Sequence, residues 1–589
     1  MKRSQQKTEN TWDLQSVYQD EASWQEDYDR TLASIVGLET YRGRLASSDD
    51  VLFEALCTLE KVALELEKVC TYASLSYECN AIDGAAQRMA GLASSLEARF
   101  QETTSYMDPE LMSIDPQMLM SWMDQDRFSR FRNYIDRLMR MKEHTLSAAE
   151  ERILALDSEA ADACSSAFHD LNDIDLDFGS VRGTRLTHAS YSVFMQDADE
   201  EVRKEAYMKM YGEYEAHRHV LARLYAGSVN QDIFLSRARG YSSSLEAALY
   251  PDNVPEEVYR NLVQSIHDAF PVLHRYYGLR ARLLGKDRLR HWDMYLPMVP
   301  GVETRHTYDE AVELISQAVK PLGEEYRSVL VKGLTSDRWV DRYENEGKRS
   351  GAFSAGSYTS KPFILTNFKE DILDSVFTLI HEGGHSMHSW YSARNNGFMD
   401  YSYSIFEAEV ASTFNEELLS RHLIASCDDE RMKAHLVASR LDDMIGTLFR
   451  QTMFAEYELL VHEEVEGGGV ATLDFMRGTY RTLLESYFGD AVDFETVSDL
   501  ECLRIPHFYR AYYVYKYATG ICAAIALADR VLSGGDAQRD DYLAFLSSGG
   551  SRYPIDSLRR AGVDMSRSGS IESAVKHFSS LMDQLEALV

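Results

Sequence analysis

Two histidines and a glutamate stand at a spacing that suits metal chemistry. In the segment LIHEGGHSMHSW, His381 and His385 are four residues apart, and Glu382 follows the first of them. On a helix, residues four apart share one face, so both imidazoles can bind one ion. Neutral imidazoles are common zinc ligands, and a neighbouring carboxylate can take a proton from a zinc-bound water. The segment therefore predicts a zinc hydrolase in which His381 and His385 bind the metal and Glu382 is the general base.

A catalytic zinc needs a third protein ligand and one open position. The segment SIFEAEVASTFNEE, residues 404–417, is predicted to be a helix and carries several carboxylates. His388 lies seven residues after His381, about 10.5 Å along a helix axis, so we do not expect it to bind the same ion. Four glutamates are candidates by chemistry alone: Glu407, Glu409, Glu416 and Glu417.

The helix that carries the histidines must tolerate two adjacent glycines. Val376, Phe377 and Ile380 form a stripe typical of a buried helix face. Gly383 and Gly384 should weaken that helix by roughly 2 kcal/mol relative to alanines. We interpret Gly384 as a position where a neighbouring element approaches closely, whereas Gly383 is expected to loosen the helix. The alternative for the whole motif is a pair of core histidines hydrogen-bonded to their neighbours.

The elements around this motif are predicted to be mostly helices. The chain has 11 prolines in 589 residues, and long segments such as 50–77 and 436–465 repeat apolar residues at helical spacing. RSGAFSAGSYTSKPFILTN, residues 349–367, differs and predicts a small hairpin or sheet directly before the histidine helix. The helical pattern breaks near residues 175–195, which predicts an N-terminal helical region, 1–190, and a catalytic region, 191–589.

Charge and composition narrow the class of protein. With 61 Lys+Arg against 94 Asp+Glu the net charge is −33, which argues against nucleic acid or an anionic membrane as partner. No apolar run follows the basic start MKRSQQK, so we expect a cytoplasmic protein rather than a secreted one. The seven cysteines form no CxxC pair, which argues against a thiolate metal site or a disulfide framework.

Three motifs in order closely resemble one enzyme family. HEGGHSMH is followed by FEAEVASTFNE and then by RIPHFYRAYYVYKYATG, a pattern similar to the oligoendopeptidase F branch of the thimet-type zinc metallopeptidases. TWDLQSVY near the start, LTHASYSVFMQDADEEVRKEAY from Leu186 and EGKRSGAFSAGSY from Glu346 extend the resemblance over nearly the whole chain. The family usually has a larger residue at the position of Gly383, so this chain departs from it there.

The resemblance implies a fold, a ligand and an activity. The fold would be mainly α, with two helical lobes that enclose a deep substrate channel and a small β-sheet next to the HExxH helix. Glu409 would be the third ligand of a single Zn²⁺, and the activity would be hydrolysis of internal bonds in short oligopeptides. Nitrogen and carboxylate ligands do not exclude manganese or cobalt.

Two further groups of residues are expected to act on the substrate. The segment GAFSAGSY has few bulky side chains and suits a strand edge that pairs with an extended peptide, although a tight turn is the alternative. The resemblance makes His507 and Tyr517, then Tyr509 and Tyr512, the candidates for stabilising the transition state; a packed aromatic face is the alternative for each tyrosine. The expected substrate contacts are Gly351, Ala352, Phe353, Ser354, Gly356 and Tyr358.

The function predicted from these residues is that of a zinc endopeptidase, with short peptides as its substrates. Two alternatives remain, a zinc exopeptidase built on the same motif and a catalytically silent peptide-binding protein. An exopeptidase needs a group that holds the substrate terminus, and no segment of the sequence marks one. A silent protein would tolerate loss of Glu382 or of a ligand, and all of these are present.

Overall fold

The structure is a computed structural model that describes residues 2–302 and 304–589. Most of the chain is helix, which confirms the predicted mainly α fold. In the described residues, no helix is both long enough and apolar enough to cross a bilayer. The first twelve α-helices are α1 (Glu21–Gly37), α2 (Asp49–Cys79), α3 (Gly84–Thr104), α4 (Met107–Ser113), α5 (Pro116–Met123), α6 (Arg132–Met141), α7 (Ala148–Ala161), α8 (Ala163–Asp170), α9 (His188–Met195), α10 (Glu200–Ala238), α11 (Ser244–Leu249) and α12 (Glu256–Asp268).

Twelve more α-helices follow in the part of the chain that the structure describes, interrupted by short strands and 3₁₀ turns. They are α13 (Phe270–Leu283), α14 (Tyr308–Ala318), α15 (Gly323–Leu334), α16 (Asp374–Asn395), α17 (Ile405–Ser426), α18 (Glu430–Met444), α19 (Arg450–Glu466), α20 (Leu473–Phe488), α21 (Tyr515–Gly534), α22 (Asp536–Leu546), α23 (Pro554–Arg560) and α24 (Gly569–Leu588).

Within residues 2–302 and 304–589, seven strands form three small sheets. A hairpin joins β1 to β2 where the helical pattern of the sequence breaks, and β3 pairs with β7 in parallel. The third sheet has the order β4-β6-β5, in which β4 is parallel and β5 antiparallel to β6. The strands are β1 (Ser180–Val181), β2 (Thr184–Arg185), β3 (Leu289–Arg290), β4 (Val340–Asp341), β5 (Phe353–Ala355), β6 (Phe363–Leu365) and β7 (Val492–Asp493).

The chain divides into two compact units, each assembled from three segments. The first unit contains Met1–Glu143, Glu303–Leu423 and Leu527–Val563, and the second contains His144–Val302, Ile424–Ala526 and Asp564–Val589. The predicted regions 1–190 and 191–589 follow the chain rather than this spatial division, and that boundary stays a prediction. The predicted channel likewise stays a prediction.

The sheet of the first unit lies directly against the histidine helix. The pairing of β5 with β6 confirms the hairpin predicted within residues 349–367, and β4 adds a third strand. Phe363 and Leu365 of β6 are fully buried in the apolar core that α1 to α6 form. Trp12 packs against Phe353 and Phe363, so the N-terminal segment helps to hold the sheet in place. Apolar packing therefore fixes one face of a sheet whose edge, β5, contacts α16.

Candidate metal centre

Helix α16 places the two predicted histidine ligands side by side. Its first turn carries Asp374 and its last turn Arg394, charges that favour a helix between them. His381 and His385 lie one turn apart, and their Nε2 atoms are 3.2 Å from each other. Helical periodicity therefore accounts for this pair directly, as the four-residue spacing predicted.

Helix α17 brings a carboxylate to the same point. Glu409 Oε2 lies 3.7 Å from His381 Nε2, and Glu409 Oε1 lies 3.9 Å from His385 Nε2. One ligand atom from each of the three residues falls within 4.8 Å of the other two. Two imidazole nitrogens and one carboxylate form the donor set of many catalytic zinc sites. These three residues fit a single zinc ion.

The second nitrogen of each histidine is engaged elsewhere. His381 Nδ1 lies 3.0 Å from Glu416 Oε1, and His385 forms a hydrogen bond with the backbone carbonyl of Ala408. A ligand histidine commonly donates its other N–H in this way, which fixes the ring and leaves one nitrogen for the metal. Both rings are thus turned so that Nε2 faces Glu409.

The four candidate carboxylates of α17 have four different surroundings. Glu407 is buried beside Ser404, with Oε2 3.1 Å from the hydroxyl. Glu417 is buried in an ion pair with Arg421, and Glu416 meets the far side of His381. Among these four, Glu409 is the one whose carboxylate lies near both Nε2 atoms. The geometry therefore favours the ligand that the family resemblance implied.

Glu416 supports the His381 ring, a role that the sequence did not predict. Glu416 follows Glu409 by seven residues, two helical turns, so both carboxylates lie on one face of α17. That spacing is the signal that could have identified the pair. Helix α17 thus supplies both carboxylates that flank His381, with Glu409 near Nε2 and Glu416 at Nδ1.

The two glycines of α16 have different neighbours. A Cβ on Gly384 would lie 2.7 Å from Ala411 O and from Ser412 Cα, which are backbone atoms of α17. A Cβ on Gly383 would meet a side-chain methyl of Leu330 at 3.0 Å. Gly384 therefore allows α17 to approach α16 closely enough to bring Glu409 to the histidines. Gly383 is not required by any comparable backbone contact.

Burial and mutual repulsion set the charge of the site. Burial raises the pKa of Glu382 to about 7, helped by Glu409 and Glu416 and opposed by His381 and a backbone hydrogen bond from Ser354. Burial disfavours a charged His381, yet the hydrogen bond and charge of Glu416 raise its pKa to about 9. Burial and the nearby His381 lower the pKa of His385 to about 3. A bound cation would displace the proton of His381, whereas His385 is already neutral.

The edge strand β5 lies next to Glu382. Ser354 is opposite Ile364, whose N–H donates in the other direction, to Trp339 O at 2.8 Å. In an antiparallel pair such residues do not bond to each other, so the N–H and C=O of Ser354 point away from the sheet. The hydrogen bond of Ser354 to Glu382 shows that this edge faces α16.

The other predicted substrate contacts surround this edge. Gly351 has a φ of 84°, which favours glycine, and Ala352 leads into the strand. Phe353 points to the opposite face, where it packs against Trp12. Gly356 is exposed after the strand, and the Tyr358 hydroxyl donates to Asn396 O at 3.0 Å. Side chains of this segment thus serve packing, while its backbone stays accessible.

The predicted transition-state residues belong to the second unit, where His507, Tyr509 and Tyr512 precede α21 and Tyr517 lies in its first turn. His507 is exposed, and its ring lies 6.1 Å from the ring of Tyr517 and 6.2 Å from that of Tyr513. Tyr513 and Tyr517 meet edge to face at 5.4 Å. The structure therefore brings His507 and Tyr517 together and adds Tyr513, which sequence reasoning did not select.

Tyr509 and Tyr512 both contact other aromatic rings, and their part in the reaction stays a prediction. Tyr509 stacks on Phe168 at 4.3 Å and meets Tyr225 at 6.0 Å. Tyr512 is 2% exposed, and its ring contacts Tyr259. These two tyrosines thus face the interior of their unit, unlike the cluster of His507, Tyr513 and Tyr517.

Tyr512 also has an unusual backbone conformation. Its φ is 54°, a value rare for a residue with a side chain. Its N–H donates to Glu458 Oε1 at 3.1 Å, and its hydroxyl lies 3.1 Å from Ser244 Oγ. A buried carboxylate and a serine hydroxyl thus hold the turn in place.

Comparisons with known proteins point to one family. A family model described as "Peptidase family M3" matches residues 193–577, and one described as "Oligopeptidase F" matches residues 110–178. The chain is 38% identical to oligopeptidase PepF of Bacillus subtilis, over 100% of this chain and 88% of the relative. It is 36% identical to an oligoendopeptidase F homolog of Borreliella burgdorferi, over 98% of both chains. The crystal structure of oligoendopeptidase F from Enterococcus faecium matches with a TM-score of 0.75 and 31% identity, over 96% of this chain and 98% of that one.

Proposed function

Since the chain belongs to peptidase family M3 and is a metallopeptidase, we propose that it is a zinc-dependent endopeptidase that hydrolyses internal bonds of short oligopeptides. The observation that carries the proposal is the cluster of His381, His385 and Glu409 beside Glu382. In this proposal the three clustered residues hold one zinc ion. The zinc, when bound, supplies a Lewis acid that polarises the scissile carbonyl and acidifies a water molecule.

Glu382 is the proposed general base. It follows a ligand in sequence and is buried, and its carboxylate is not among the three clustered ligands. A base works best when its pKa lies near the working pH, and burial moves Glu382 in that direction. Glu382 would accept a proton from water and then deliver it to the leaving amine.

The β5 edge is the proposed site for the peptide backbone. The outward C=O of Ser354 can accept a hydrogen bond from the N–H of an extended chain, as in other cases of strand addition. Backbone pairing does not read side chains, so we expect broad sequence specificity. A folded protein has its backbone already paired, so we expect flexible peptides to be preferred.

His507 and Tyr517 are proposed to stabilise the oxyanion of the transition state, with Tyr513 as their neighbour. A phenol or imidazole N–H can donate to the developing negative charge. The exposure of His507 and its contact with Tyr517 support this role over a purely structural one.

The test combines metal analysis with a peptide blocked at both ends. Glu382→Gln should keep about one zinc per chain yet lower kcat by at least about 100-fold, the lower range for loss of a general base. Glu407→Gln is the matched control, because it neutralises a nearby buried carboxylate outside the metal cluster. Wild-type turnover in the zinc-loaded Glu382→Gln protein would refute the proposed role of Glu382.

The same assay separates the alternatives. An exopeptidase would leave the doubly blocked peptide intact and cleave its unblocked version, whereas a silent binding protein would cleave neither. Mass spectrometry of the products identifies the cleaved bond.

A further inference from the structure

One cavity of the first unit is lined by arginines. It has a volume of about 500 Å³ and lies between α6 and the segment that contains α23. Arg137 comes from α6, while Arg552, Arg559 and Arg560 come from within nine residues of one another. None of these residues belongs to the metal cluster.

The cavity is positive in a strongly negative chain. Its four guanidinium groups face two carboxylates, those of Asp136 and Asp556. The local excess of two positive charges contrasts with the net charge of −33 for the whole chain. Random placement of surface charge in such a chain would favour a negative cavity.

Two of the arginines, Arg137 and Arg559, form hydrogen bonds or an ion pair with residues around the cavity. Arg137 donates from Nη2 to Gly550 O at 2.6 Å and to Arg552 O at 2.8 Å, and its guanidinium lies 5.0 Å from the ring of Tyr553. Arg559 Nη1 forms an ion pair with Asp556 Oδ1 at 2.8 Å. The contacts of Arg137 hold the segment against α6, and the ion pair of Arg559 lies within α23.

The other two arginines have no such partners. In the part of the chain that the structure describes, no carboxylate lies within ion-pair distance of Arg552 or Arg560. Arg552 is half-buried and Arg560 is exposed, so both can reach a ligand in the cavity. Two solvated arginines are the simpler interpretation, but it does not explain why both line one concave, net-positive wall.

We propose that this cavity binds a small anion that carries two phosphoryl groups. The planar fork of a guanidinium matches phosphate oxygens in a bidentate way, and two free forks on one wall suit two such groups. Because the wall has an excess of two positive charges, its attraction for an anion grows with the charge of that anion, so a multiply charged ligand gains more than a singly charged one. This binding is independent of the peptidase activity.

The experiment titrates the full-length, zinc-containing protein with fructose 1,6-bisphosphate by calorimetry, with fructose as the uncharged reference. We expect one saturable site per chain for the bisphosphate and no heat from fructose. Arg552→Ala/Arg560→Ala should weaken binding at least about tenfold, because two charge-assisted contacts are lost. A rise in Tm with added bisphosphate should be present in the wild type and lost in this variant.

The control is Arg152→Ala/Arg185→Ala, which makes the same change in net charge at two exposed arginines outside the cavity. This variant should bind as the wild type does. Equal weakening in both double variants would mean that net charge alone drives binding, and would overturn the proposal. It would also be overturned if the wild type showed no saturable binding, or bound heparin but not the bisphosphate, since the latter would indicate a surface for a large polyanion.

Discussion

The metal cluster of the first unit and the aromatic turn of the second, residues 507–517, are built in different ways. In the cluster, His381 and His385 are set by the repeat of one helix, and Glu409 by a second helix that packs closely on it. In the aromatic turn, the buried Glu458 and Ser244 hold Tyr512 in a rare backbone conformation. The spacing of residues in the sequence fixes which face of a regular helix they occupy, whereas packing against other segments decides the positions of residues on a turn. We therefore expect variants of the metal cluster to lose zinc affinity, and variants of the aromatic turn to lose kcat while they keep zinc.

The largest effect is expected at the metal. Glu409→Ala should lower zinc affinity by more than about 100-fold, since it removes a ligand rather than a supporting contact. Glu416→Ala should cost less, because it removes only the hydrogen bond to His381 Nδ1. Competition with a zinc chelator measures both affinities, and Glu407→Gln should bind zinc as the wild type does. If Glu407→Gln lost zinc and Glu409→Ala kept it, the ligand assignment would be wrong.

A smaller effect is expected in the aromatic turn. Tyr517→Phe removes one hydroxyl and should lower kcat at least about tenfold, with KM and zinc content little changed, as for a donor that acts in the transition state. Tyr509→Phe should retain wild-type kcat, because Tyr509 stacks on Phe168 inside its unit. Steady-state kinetics with a blocked peptide compares the two. A lower kcat for Tyr509→Phe alone would reverse their roles.

The two glycines test how closely the helices of the metal cluster must pack. Gly384→Ala should destabilise the protein by about 1–3 kcal/mol, because backbone atoms of α17 cannot move away from the new methyl group. Gly383→Ala meets one flexible leucine and gains up to about 1 kcal/mol of helix propensity, so it should be neutral or stabilising. Chemical denaturation followed by circular dichroism gives the difference. Equal destabilisation by both would show that α17 does not need this close approach.

The last effect concerns the pH dependence of the turn. Burial raises the pKa of Glu458 well above its usual value, and Asp232 adds to this, while the Tyr512 N–H opposes it. His462 also faces this region, with its ring 4.8 Å from that of Tyr512. The folded state therefore keeps a proton that the unfolded state loses above about pH 4.5, so stability should fall as pH rises from there.

In the wild type, the free energy of unfolding should fall by up to about 1.4 kcal/mol per pH unit as pH rises. Glu458→Gln should remove this pH dependence, while its amide oxygen still accepts from the Tyr512 N–H. Denaturation midpoints between pH 5 and 8 compare the variant with the wild type. Parallel pH profiles for the two proteins would mean that Glu458 is ionised in the folded state.

Several features followed from the sequence because they depend on local repeats. The helix over the histidines, the helix with Glu409 and the hairpin before them are each encoded by periodicity or by glycine and β-branched composition within about twenty residues. The family resemblance then selected Glu409 from four glutamates, and residue types alone could not, because all four offer the same chemistry.

The amino-acid sequence by itself determined that His381, Glu382 and His385 share one region of a helix, since 3.6 residues per turn leave no other arrangement. The tertiary structure alone decided which backbone approaches Gly384, which tyrosines of residues 507–517 turn inward, and which arginines gather around one cavity. These depend on contacts between different segments of the chain, such as α16 with α17 or α6 with Gly550. No local pattern encodes such contacts, because their geometry is set by the packing of the whole unit.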